Sequence, residues 1–173
     1  MPSNLPPVGA EIPCSALALN CQFEFEGQSA SCDLKGGMKY RVLEDPSDPH
    51  NSVRLQVTAF RMATTDTKDR VELELKGEDS DPQSTLRLTS QFPPRYEHRI
   101  RLPLTVTLEL RSRGNDEYTL VTKTPLDFTG HLTQFPPQGD LYRITEPMEW
   151  LRTWDRDTVI GRLTTFSPKV GGL

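Results

Sequence analysis

No Lys or Arg precedes Lys35 in this chain of 173 residues. A secretory leader opens on positive charge ahead of its apolar stretch, so that signature is missing from "MPSNLPPVGAEIPCSALALNC". No apolar run approaches the ~20 residues that cross a bilayer as a helix. Cysteine is scarce, with only Cys14, Cys21 and Cys32. An odd number without a leader implies free thiols, and no CxxC-like pair with a fourth ligand offers a zinc site. A basic stripe is lacking too. The net charge is −4, and the 14 Arg and 6 Lys are interleaved with Asp and Glu. That pattern describes an ion-paired, wetted surface rather than a nucleic-acid interface. Nucleophile elbow, Walker loop, dinucleotide fingerprint and HExxH are all absent, which argues against the common hydrolases, kinases and dehydrogenases. The expectation is a cytoplasmic protein with no metal, no cofactor, no nucleic-acid partner and no membrane partner.

What is present is alternation with a period of two. In "ALALNCQFEF" the odd positions Leu17, Leu19, Cys21, Phe23 and Phe25 are apolar. Met38, Tyr40 and Val42 repeat the pattern, as do Val53, Leu55 and Val57, then Val71, Leu73 and Leu75. This is the mark of half-buried antiparallel strands. Turn-forming stretches such as "EDPSDPHNS", "KGEDSDPQS" and "RSRGNDE" separate them. The apolar parity flips between Val57 and Phe60, which predicts a β-bulge or sharp bend near Ala59. Residues 1–13 carry four prolines and read as an extended tail, leaving 14–173 as one domain. In "TEPMEWLRTWDRD", Pro147, Met148, Leu151 and Trp154 are spaced for a short helix near 147–154, and a strand suits them equally. The fold expected is all-β: a single antiparallel barrel of about eight to ten strands, lipocalin-like in general architecture, with a two-sheet sandwich as the alternative.

"QFPP" occurs at Gln91–Pro94 and again at Gln134–Pro137. Pro-Pro offers no donors to a ladder and biases the preceding Phe towards extended geometry, so it belongs where one strand ends and the next begins. The flanking registers differ, with Phe92 in phase with Leu86 and Leu88 but Phe135 out of phase with Phe128 and Leu132. That argues against a duplication, since duplication would preserve the facing of each position. The reading is strand-end punctuation, with Phe92 and Phe135 folded over one end of the core and bordering one mouth.

The most informative segment is "RYEHRIRLPLTVTLELR". Every even position from Tyr96 to Leu110 is apolar or aromatic except His98, while Arg95, Glu97, Arg99 and Arg101 share the opposite face. Fifteen residues at ~3.3 Å each make a run too long for one straight strand, and Pro103 marks its bend or edge. His98 therefore faces inward beside Tyr96. A buried histidine is ordinarily a satisfied core residue. On the inner wall of a small barrel, however, imidazole next to phenol can serve as an acid–base pair. His98 and Tyr96 are accordingly the candidate catalytic residues. Phe92, Phe135, Ile100, Tyr142 and Trp150 are the candidate ligand-binding residues. Asp127 and His131 share a polar face, but at i,i+4 on a strand they stand about 13 Å apart and cannot touch directly.

Three classes of activity survive. One is a cofactor-independent cyclase or isomerase that folds an apolar metabolite in the barrel with acid–base assistance; shape and one proton-handling group suffice for it. Another is a non-catalytic carrier of the same kind of small molecule. The third is a structural protein that pairs its long alternating strand with a second copy, so a homodimer is compatible with the pattern.

Overall fold

The computed structural model describes residues 4–65, 69–110, 114 and 116–172. The alternating segments become fourteen strands, with no helix among the described residues. In chain order these are β1 (Glu11–Phe25), β2 (Gln28–Glu44), β3 (Ser52–Thr64), β4 (Arg70–Leu75), β5 (Ser84–Gln91), β6 (Pro94–Leu102) and β7 (Leu104–Leu110). There follow β8 (Asp116–Thr122), β9 (Leu126–Leu132), β10 (Gln138–Leu141), β11 (Arg143–Ile144), β12 (Met148–Arg152), β13 (Asp155–Thr165) and β14 (Pro168–Gly172).

Register reduces the fourteen to eight staves. β4 and β5 run end to end against β3, and β6 and β7 run end to end against them. β8 and β9 form the next stave, then β10 to β12, then β13 and β14. Each stave pairs antiparallel with the one before it, and the last pairs back onto β1 through Ala16↔Val170 and Phe23↔Leu163. This closes the sheet on itself as the expected barrel, although at the His98 end the seam is only partly laddered, since β10 pairs with β14 alone and β11 with β9 alone. Expressed as staves, the strand number matches the expected eight to ten.

The interior is filled from the alternating positions. Leu34, Tyr40, Leu55, Met62, Leu73, Leu86, Ile100, Phe128, Trp150 and Phe166 are all essentially inaccessible. The outer face carries ion pairs such as Arg61–Glu72 at 2.7 Å. Arg95 and Arg99 point to solvent, and Glu97 and Arg101 are half-exposed, so the polar side of the long strand lies outside as expected. Pro103 sits in the gap between β6 and β7, where its carbonyl accepts the N–H of Lys76 at 3.0 Å.

The predicted parity flip near Ala59 is a bulge: Lys39 pairs with Ala59 but Tyr40 pairs with Val57, leaving Thr58 as the extra residue. Of the two readings of residues 147–154 the strand holds and the helix does not. Met148–Arg152 is the strand β12, held between β8 and β13, and Trp154 lies exposed in the turn that follows. One expectation needs correction. In β1, Cys21, Phe23 and Phe25 face inward as read, but Leu17 and Leu19 face out at 39% and 55% exposure. The small residues Cys14, Ala16 and Ala18 point inward instead. A register shift between Ala18 and Cys21, with Asn20 at φ 54°, switches the parity in mid-strand. β1 also begins at Glu11, ahead of the expected tail boundary, and the preceding residues are tied to the barrel: the Gly9 N–H donates to the Val42 carbonyl at 2.8 Å.

Candidate functional site

The end of the barrel where β6 begins and β9 stops gathers most of the candidate residues. His98 projects inward from β6, opposite Gly130 on β9. The position across from it has no side chain, and the ring of Tyr142 occupies that space. A Cβ built on Gly130 would lie 2.6 Å from Tyr142 Cε1, so only glycine lets the phenol lie against the strand. The Tyr142 hydroxyl and His98 Nδ1 share a hydrogen bond, and both residues are fully buried.

Around His98 the walls are rings. Tyr40, Phe135 and Tyr142 meet it edge-on with centroids 5.3, 5.4 and 5.3 Å away. Phe128 packs on Tyr142 at 6.0 Å and on Phe166 at 5.7 Å. The Tyr40 hydroxyl is satisfied by the sulfur of Met38. His98 Nε2 has no hydrogen-bond partner. Burial holds the imidazole far below its usual value, at about 3, so the ring is neutral. Burial likewise pushes both the Tyr40 and Tyr142 phenols well above 10 and keeps them protonated.

The proton count selects a tautomer. With the Tyr142 hydroxyl donating to Nδ1, the imidazole proton sits on Nε2 and one donor is left over. With Nδ1 donating instead, both the phenol proton and the Nε2 lone pair would lack partners. The first arrangement leaves fewer buried groups unsatisfied. The site therefore presents a single N–H, Nε2–H, within an aromatic cage.

The sequence-derived candidates divide accordingly. Tyr96 shares the inner face with His98 but is not its partner, because its hydroxyl donates to the Asn4 carbonyl at 2.7 Å and anchors the N-terminal segment. The phenol beside His98 is that of Tyr142, which the sequence pattern places only among the ligand-binding candidates. Phe135 joins the cage as its half-buried, solvent-reaching member. Phe92 does not. It is 90% exposed at the tip of the β5–β6 hairpin, so the two QFPP copies share a strand-end position but only the second folds over the core. Ile100 is fully buried on the same strand, paired with Phe128. Trp150 is buried on Phe23 at 6.0 Å, eight residues beyond Tyr142 in the strand β12, and makes no ring contact with His98. His131 is exposed, and Asp127 is taken by Arg99, whose Nε donates to it at 2.9 Å. Among the described residues no group of three or more His, Cys, Asp or Glu could hold a metal ion. No helix of the described residues is long and apolar enough to cross a membrane.

No family model matches the sequence, and no curated protein matches it. Among solved structures, DynF from the dynemicin biosynthesis pathway of Micromonospora chersina superposes with a TM-score of 0.72 at 15% identity. The match covers 96% of this chain and 82% of DynF. At that identity the likeness concerns architecture, and in architecture this chain is similar to DynF.

Proposed function

We propose that the barrel receives an apolar small molecule at its His98 end and acts on it as a cofactor-independent cyclase or isomerase. The observation that carries this reading is His98 Nε2, a fully buried, unpartnered N–H surrounded by ring edges. A buried donor without a protein partner is costly to keep, and a carbonyl or hydroxyl oxygen on an otherwise apolar ligand would satisfy it. Entry runs past Phe135, the cage member that already reaches solvent. Once there, a neutral imidazole donor held in place by Tyr142 would stabilise charge developing on the ligand oxygen; with Nε2 protonated and Nδ1 accepting from Tyr142, the proton lost from carbon in an enolisation would pass to water entering past Phe135. The likeness to a protein of a biosynthetic pathway agrees with such chemistry.

A carrier is the second reading, favoured by the same apolar cage and needing no proton transfer. Prodan, an apolar aromatic ketone whose emission reports polarity and hydrogen bonding, separates the two. Binding to wild type should be saturable, with His98→Phe still binding but losing the hydrogen-bond signature in the emission. Incubation in deuterium oxide then tests chemistry. Deuterium entering beside the Prodan carbonyl faster with wild type than with His98→Gln supports catalysis. Equal rates leave a carrier, and absence of saturable binding removes both readings.

A further inference from the structure

On the outer wall, independent of the barrel interior, β3, β5 and β6 carry Arg54, Thr85 and Arg99 in one lateral row, with Arg101 two positions along β6. The loop between β4 and β5 folds back on this wall. Its Asp79 carboxylate accepts the Val57 N–H at 2.9 Å, and its backbone carbonyl accepts Gln56 Nε2 at 3.0 Å. Together they leave a cleft of about 350 Å³ whose lining includes Asp45, Arg54, Asp81, Thr85, Arg99 and Arg101. We propose that this cleft binds a small tetrahedral oxyanion, a phosphate group, held chiefly by Arg101 and Arg99.

The argument is one of charge and partners. Arg54 has Asp45 at 3.7 Å, and Asp45 is further held by the Ser47 N–H and hydroxyl at 3.1 and 2.7 Å. Arg99 is matched by Asp127. Arg101 has neither. It forms no ion pair among the described residues, and its Nε is buried without a hydrogen-bond partner. Asp81 lines the same cleft from its exposed rim yet reaches none of the three guanidinium groups. A cation with a desolvated, unpaired donor costs free energy that a bound anion would recover through charge-assisted hydrogen bonds. The guanidinium fork suits phosphate oxygens, and Gln83 and Thr85 line the same space with neutral donors. Asp45 and Asp81 favour a compact anion over an extended polyanion, because a longer chain of charge would run onto both carboxylates.

Inorganic phosphate and glycerol 3-phosphate share the required chemistry, and the tighter binder names the source. Each is titrated calorimetrically at fixed ionic strength with chloride as the balancing anion. Saturable binding to wild type is expected, weakened roughly tenfold or more in Arg101→Gln by loss of a charge-assisted contact. Arg41→Gln, which alters an arginine paired with Glu11 outside the cleft, should bind as wild type does. Should Arg101→Gln fail to fold, a phosphate soak of wild-type crystals decides: density between Arg99 and Arg101 supports the site, and its absence there overturns it. Heat no different from added chloride, or equal affinity in Arg101→Gln, also overturns the proposal.

Discussion

Tyr142 and His98 lie 44 residues apart in sequence and share a hydrogen bond inside a wall of rings, across a strand position that only glycine could occupy. Gly130→Ala puts a methyl group where the Tyr142 ring now lies, and a packed interior cannot yield without moving ring or strand. Overpacking of this kind costs about 1–3 kcal/mol. Urea denaturation should show that loss. A variant as stable as wild type would mean the ring has somewhere else to go.

Removing the hydroxyl alone tests the hydrogen bond. Tyr142→Phe keeps the ring but leaves His98 Nδ1 without a partner, and the loss expected for an unsatisfied buried acceptor is about 1–3 kcal/mol. Tyr96→Phe removes only an anchor to the Asn4 carbonyl, closer to the ~1 kcal/mol of an ordinary hydrogen bond. Thermal melts of the two variants should rank in that order.

His98 also makes stability depend on pH. Its pKa is lowered by burial to about 3, while the unfolded chain protonates near 6.5, so between these values the unfolded state binds more protons. Stability from this residue is therefore fully present above about pH 6.5 and declines as pH falls towards 3, with a slope of up to about 1.4 kcal/mol per pH unit. In His98→Gln that slope should flatten by the same amount. An unchanged pH profile in the variant would show that His98 is not the group responsible.

The two QFPP phenylalanines should behave differently. Phe92→Ser alters an exposed hairpin tip and should shift stability by no more than about 0.5 kcal/mol, with Prodan binding intact. Phe135→Ala opens the cage at its solvent side and should change both melting temperature and probe affinity. Identical behaviour of the two would restore the view that they line one mouth together.

Much of the architecture was legible because period-two alternation survives wherever a stave has one wet and one dry face. It failed at one place and stayed open at another. Leu17 and Leu19 look like core beside Ala16 and Ala18, yet a bulge around Asn20 hands the inward positions to the alanines, and residue size alone cannot reveal where a bulge falls. Met148, Leu151 and Trp154 have helical spacing, but ladders on both sides of Met148–Arg152 outweigh local preference. In the site, the inward direction of His98 followed from parity along a single strand. Its partner did not. Pairing with Tyr142 depends on the register between staves and on the missing side chain at Gly130, neither of which one strand's pattern contains.

The staves are not equally continuous. β1, β2 and β3 run through the barrel's full height, with bulges around Asn20 and at Thr58 but no end, whereas the other five are each interrupted, at Lys76–Gln83, Pro103, Lys123–Pro125, Tyr142 with Thr145–Pro147, and Phe166–Ser167. Proteins open locally in contiguous cooperative units, so the belt of strand ends should divide the molecule into two opening units joined by a three-stranded spine. Amides of β5, β6, β9 and β14, around the His98 cage, should then exchange with solvent as one group, and those of β4, β7, β8 and β12 as another. An end that loosens while its counterpart stays closed can admit a guest without the whole barrel melting. Native-state hydrogen exchange with a single protection free energy on both sides of the belt would show instead that the spine binds the two halves into one cooperative unit.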